Sequence, residues 1–227
     1  MKISVARLVA SLSMALMALM AVVSPAQAEL VVGRDYVAIE PAQLTDNPAK
    51  IEVIEFFSYA CPHCNDLSPH INQWAGKLPS DVVFKRVAVG FNSPFYQTMA
   101  RLYYTLEALG ELHRLDAAVF NAIHEKGLKL VDEKSIAEWV TAQGVDAKKF
   151  SDAYNSFGVA TKTKRADQIA QASKITGVPA LAIDGRYLVT GREVKTHTDL
   201  LALADVQLYK AKHSGRGRVC GDVLLPV

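Results

Sequence analysis

Cys61-Pro62-His63-Cys64 constrains this chain more than any other feature. It follows the apolar run Ile51-Glu52-Val53-Ile54-Glu55-Phe56-Phe57, which predicts a buried strand. It leads into Asn65-Asp66-Leu67, which predicts a helix. Two thiols with two residues between them at the head of a helix can open and close a disulfide with little backbone movement. Proline at the second position suits a first helical turn, where a backbone N–H has no intrahelical partner to lose. The chain must therefore turn from a central strand straight into a helix, with both sulfurs at the junction.

A CxxC at that junction is a thioredoxin-like redox signature. The N-terminus says where such chemistry would operate. Lys2 and Arg7 precede an apolar stretch over 8–23, and Ala26-Gln27-Ala28 supplies a small-x-small cleavage pattern. Residues 1–28 therefore predict a secretory signal peptide cut after Ala28. A membrane anchor is the alternative, but the apolar core is short for a bilayer span. Removing Lys2 and Arg7 leaves Lys+Arg balanced against the 23 Asp+Glu, so nothing in the charge suggests a nucleic-acid partner. Cys61, Cys64 and Cys220 are the 3 cysteines. A secreted disulfide scaffold would carry more, so export with one CxxC indicates cysteine chemistry rather than cysteine stapling. The expected address is a bacterial periplasm or an equivalent space.

Along the chain, strands are expected at 36–39, 51–57 and 82–89, with a helix over 62–77 that holds Pro69 and is expected to kink there. Helical periodicity runs from Ser93 to about 174. Its segments include a Ser93-Pro94 start, a stripe Leu112, Leu115, Val119 and Ile123 ending at Gly127, a start at Asp132 or Ser135, another at Asp146, and a polar return helix over 159–174. Asp184-Gly185 between two apolar runs predicts a type I′ hairpin, and 196–210 a closing helix. The order is βαβ, helical block, ββα. The fold class is α/β, a thioredoxin-like fold with an inserted all-helical domain: 29–92 first part, 93–174 insertion, 175–227 second part and tail.

The chemistry of the pair follows from its position. Cys61 at the helix N-terminus faces orphan N–H groups and the positive end of the dipole, which favour a thiolate. Cys64, one turn in, is the buried resolving thiol. His63 beside the sulfur stabilises the anion by charge or hydrogen bonding, with a solvated loop histidine as the alternative. Stabilising the thiolate stabilises the reduced form and makes the disulfide a stronger oxidant.

Phe56-Phe57-Ser58-Tyr59-Ala60-Cys61-Pro62-His63-Cys64 and Gly177-Val178-Pro179-Ala180 resemble the DsbA family of periplasmic thiol oxidases. The resemblance in motif order covers about 36–210. It implies that Pro179 is the cis-proline facing the CxxC and that Val178 offers its backbone to a substrate peptide. It also implies that Glu55 lies buried behind the cysteines and assists proton transfer with a basic neighbour, Lys85 or Arg86. A solvated Glu55 is the alternative. The implied activity is donation of the Cys61–Cys64 disulfide to reduced, unfolded secreted proteins by a monomer. The redox-active disulfide replaces any dissociable cofactor, and a quinone-linked membrane oxidase of the DsbB type recycles the enzyme.

Three further features belong to this reading. Phe91, Phe95 and Tyr96 line an apolar groove near the site or pack in the core. His70 could join Cys61, Cys64 and His63 as a metal set, but the spacing offers no convincing fourth ligand and no metal site is expected. Cys220 lies in a Gly- and Arg-rich tail and is read as a free or adventitiously paired thiol, with intermolecular pairing as the alternative. The rival activities are a reductase or isomerase on the same fold, and a non-catalytic peptide- or metal-binding module.

Overall fold

A computed structural model describes residues 32–214, apart from 34, 192, 193 and 195. The signal segment, its cleavage point and Cys220 lie outside the described residues.

The strands β1 (Val37–Ala38), β2 (Ile51–Phe57), β3 (Val82–Ala88), β4 (Ala180–Ile183) and β5 (Tyr187–Thr190) form one sheet in the order β1-β5-β4-β2-β3. The described α-helices are α1 (Pro62–Ala75), α2 (Pro94–Ala108), α3 (Leu112–Phe120), α4 (Glu133–Ala142), α5 (Ala147–Tyr154), α6 (Phe157–Ala172) and α7 (His197–His213). This is a thioredoxin-like fold with a helical insertion, α2 to α6, between β3 and β4.

β2 is central, parallel to β3 and antiparallel to β4. A strand covered on both faces has no solvent side to alternate towards, which explains its nearly unbroken apolar sequence. The parallel β2–β3 step needs a crossover, and α1 supplies it. On one face, α1 and α7 pack together over Ile51, Val53, Leu181 and Ile183 through Leu67, Ile71, Leu200 and Leu208. A second cluster joins Phe56 and Phe57 to the insertion through Met99, Leu102, Leu115 and Val119. Within the insertion, α2 packs on α3, α5 and α6, and both α2 and α6 reach β3.

Several ends differ from expectation. Only Val37–Ala38 pairs as β1, although the Ile39 N–H still donates to Arg186 O at 2.8 Å. Ser93 stands at the N-cap of α2 with Pro94 following, but its hydroxyl makes no cap bond. Of the two candidate starts for α4, Asp132 is the N-cap, in a reciprocal capping box with Ser135. The stripe expected to continue to Gly127 gives way after α3 to a π-helical turn, Asn121–Glu125. There His124 Nε2 donates to the Tyr59 carbonyl at 2.8 Å, so the wider turn sends a side chain to the strand-to-helix junction.

Asp184 and Gly185 both take positive φ, 54° and 64°, as the Asp-Gly hairpin signal requires. A Cβ on Gly185 would come within 2.1 Å of Gln43 O, while the Gln43 N–H donates to Gly185 O at 2.8 Å. The segment before β2 is thus laid directly on the turn. Gly185→Ala should therefore lower stability by about 2 kcal/mol or more, read from urea unfolding. Wild-type stability would show that the contact is not maintained in solution.

Candidate active site

β2 ends in a tight turn that delivers the thiols. The Cys61 N–H donates to Ser58 O at 3.0 Å, and the Ser58 hydroxyl accepts from the Ala60 N–H at 3.2 Å. Cys61 is then the N-cap of α1 in extended conformation, with Pro62 at the first helical position. Its carbonyl accepts from the N–H groups of Cys64 and Asn65, each at 3.1 Å.

The two sulfurs have opposite electrostatic settings. The Cys64 thiol donates to Cys61, and that hydrogen bond is the largest influence bringing the Cys61 pKa down to about 7, against the opposing effect of burial. The backbone N–H groups of Cys64 and His63, then the charge of His63, act in the same direction. His63 thus contributes less than the partner thiol. Cys64 is pushed far up, first by burial, then by its hydrogen bond to Cys61 and by the Cys61 charge. One negative charge therefore resides on Cys61.

Cys61 is less open than an exposed nucleophile would be: it is 5% exposed. The Val178–Pro179 peptide is cis, and Val178 O lies 3.4 Å from the Cys61 sulfur, accepting from it when it is protonated, so this loop covers the sulfur. Beside it a cleft of about 640 Å³ is lined by His63, Gly177, Val178, Pro179, Val194 and Leu200, among others.

Glu55 is wholly buried, which removes the solvated alternative. Its partner is Arg86, whose Nε donates to Glu55 Oε2 at 2.6 Å. Strand register decides this. Glu55 pairs with Arg86 and Ile54 with Lys85, so Lys85 shares the face of Glu52 and bonds Glu52 and Asp46 instead. Burial raises the Glu55 pKa above the usual carboxylate range, with Arg86 opposing. The Glu55 charge in turn helps hold Cys64 protonated.

Phe91 and Phe95 pack partly buried against the core, whereas Tyr96 senses the thiol pair: after burial, Cys61 and Cys64 raise its phenol pKa. This aromatic corner is held from the insertion. Asp167 Oδ1 accepts from the N–H groups of Gly90 and Phe91 at 2.8 and 3.0 Å, and Asp167 Oδ2 from Gln97 Nε2 at 2.5 Å. Phe91 has φ 46°, a strained value for a bulky residue, and this double acceptance supports it. The His70 ring stands 5.6 Å from that of His197. Among the described residues no group of three or more His, Cys, Asp or Glu is placed to hold a metal ion.

Sequence reading missed Asp167, Asp116 and the Tyr59 hydroxyl. Asp116 did carry a signal: it falls four residues after Leu112 and three before Val119, inside an apolar stripe, as Glu55 does within its strand. Asp167 sits in a polar helix and carried none.

The reduced protein should show one thiolate titrating near pH 7 by ultraviolet absorbance, against about 8.5 for a free cysteine. Because the folded pKa is depressed, the stabilisation it gives the reduced fold is complete above the unfolded value and is lost as pH falls through about 7. Cys64→Ala removes the main donor and should move the midpoint of Cys61 upward. A midpoint unchanged in that variant would reject the thiol–thiolate hydrogen bond.

The model of the DsbA-like thioredoxin domain matches residues 66–202, more than half of the chain. The thiol:disulfide interchange protein DsbA of Bordetella parapertussis is 43% identical over 184 residues, which cover 81% of this chain and 85% of that protein. The DsbA of Pseudomonas aeruginosa PAO1 is 35% identical over 184 residues, 81% of this chain and 87% of that protein. Its crystal structure superposes with a TM-score of 0.78 at 34% identity, covering 82% of this chain and 96% of that one. The DsbA of Xylella fastidiosa gives a TM-score of 0.75 at 30% identity, with coverage of 81% and 98%. A turn that places two thiols on one helical start, a cis-proline loop against the first sulfur and these relatives agree: the chain belongs to the DsbA-like thioredoxin family.

Proposed function

We propose that this protein is a thiol:disulfide oxidoreductase that donates its Cys61–Cys64 disulfide to reduced proteins exported into the periplasm. The observation that carries the reading is the unequal thiol pair, Cys61 lowered to about 7 and Cys64 buried and held protonated. A thiol with a low pKa is a good leaving group, and its stable thiolate favours the reduced enzyme, so the disulfide is readily passed on.

A substrate thiolate attacks Cys61 Sγ, forming a substrate–Cys61 bond as the Cys61–Cys64 bond breaks. Cys64 leaves as a thiolate and takes a proton, with Glu55 as the nearby carboxyl to supply it. A second substrate thiolate then attacks the substrate sulfur of this mixed disulfide and expels the Cys61 thiolate. The substrate loses two electrons and the enzyme gains them. The cleft beside Val178–Pro179 seats the extended substrate, and the Val178 backbone pairs with it. A quinone-linked membrane oxidase returns the enzyme to the disulfide form, and no dissociable cofactor takes part. No helix among the described residues is long and apolar enough to cross a membrane, which fits a protein released after cleavage of residues 1–28.

Equilibration with glutathione tests the direction of the couple. The expected potential lies well above that of a reducing dithiol such as thioredoxin, about −270 mV. A value near that one would make the protein a reductase. His63→Ser should lower the potential, and an unchanged value would remove His63 from its tuning role. Cys61→Ser should abolish peptide oxidation, while Cys64→Ala should accumulate a Cys61-linked adduct on non-reducing gels. Turnover without Cys61 would overturn the mechanism.

A further inference from the structure

The carboxyl buried behind the thiols does not have its counter-ion to itself. Arg86 gives Nε to Glu55 Oε2 at 2.6 Å, but its Nη1 goes to Asp116 Oδ2 at 2.7 Å. The other Asp116 oxygen accepts from the Tyr59 hydroxyl at 2.7 Å. The guanidinium is fixed in plane, its carbon 3.8 Å from the centre of the Phe57 ring. A side-on bidentate pair through Nε and Nη2 would be the strong form of an Arg–Glu contact. It is not made here, and Glu55 Oε1 and Arg86 Nη2 are both buried without a hydrogen-bond partner.

We infer that Asp116, brought to the site by the inserted helices, is a positioning residue for the thiol pair: by sharing Arg86 it leaves Glu55 undercompensated and able to hold the proton that Cys64 needs. The inference rests on Glu55 being the proton carrier. Two carboxylates face one guanidinium, and both cannot be ionised in a dry site without an unbalanced charge. Asp116 has two strong donors and a side chain 18% exposed, so a negative charge is better compensated there. Glu55 has one donor, no exposure and one free oxygen, so the proton goes there. The groups acting on Glu55 are Arg86 from β3, Asp116 from α3, Tyr103 from α2 and Cys64 from α1, while Tyr59 from the turn after β2 acts on Asp116 and Arg86.

The step balances. When the substrate thiolate breaks the Cys61–Cys64 bond, the Cys64 thiolate takes the Glu55 proton, giving a Cys64 thiol and a Glu55 carboxylate that Arg86 Nε stabilises. On reoxidation the Cys64 thiol returns the proton to Glu55 as the disulfide re-forms.

Asp116→Asn removes the competing charge while keeping the shape. In oxidised protein carrying ¹³C-labelled glutamate, the Glu55 carboxyl midpoint should fall by about one pH unit or more. The acid limb of the peptide-oxidation profile should move with it. Asp116→Glu should restore the wild-type midpoint. Tyr59→Phe takes one of its two donors from Asp116, which then competes better for the shared proton, so the Glu55 midpoint should fall there too, by less than in Asp116→Asn. A Glu55 midpoint unmoved in either Asp116→Asn or Tyr59→Phe overturns the inference and leaves Asp116 a packing residue. Glu55→Gln separates this from the underlying reading. An unchanged pH profile in that variant rejects Glu55 as proton carrier, whereas the carboxyl midpoints report on Asp116 either way.

Discussion

Two thiols held one helical turn apart share a single negative charge, and much of this structure is arranged around where that charge sits. The turn after β2 places Cys61 where the first N–H groups of α1 converge, and the core encloses Cys64. The Cys64 proton then serves Cys61 as a hydrogen bond. Each thiol thereby makes the other more unlike a free cysteine. A helix N-terminus alone would favour thiolate on any cysteine placed there. The asymmetry between the two needs one sulfur inside the core and one at its edge.

The inserted helices take part in this arrangement. Asp167 on α6 holds the Gly90–Phe91 turn, Asp116 on α3 takes one arm of Arg86, and His124 on the π-helical turn binds the Tyr59 carbonyl. All three reach the site from the segment that separates the two halves of the sheet. The insertion therefore braces the aromatic corner, the buried ion network and the turn that carries Cys61. A thioredoxin-like core without it would need other donors and acceptors at each place.

Much of the fold was legible in the sequence because its signals are local. The apolar run over Ile51–Phe57 identified the central strand, and Asp184-Gly185 the hairpin, since each depends on residues a few positions apart. The helix start at Asp146 was legible for the same reason, and that at Asp132 was narrowed to Asp132 or Ser135, as both aspartates cap N–H groups three residues on. The π-helical turn was not, because its motive is a carbonyl 65 residues away. The choice between Lys85 and Arg86 was equally closed. Both are cations on one strand, and only the register against β2 separates the face of Glu52 from that of Glu55.

What the sequence determined alone was the redox unit: which two cysteines form it, which of them heads the helix, and which proline faces them in the family it resembles. The first two follow from spacing and residue type, the third from the resemblance. Tertiary structure decided how the unit is tuned. It covered Cys61 with the Val178 carbonyl, buried Glu55 without full compensation and divided Arg86 between two carboxylates. Such settings depend on distances between segments far apart in the chain and on how completely water is excluded between them. Neither quantity is written in a local pattern of residues.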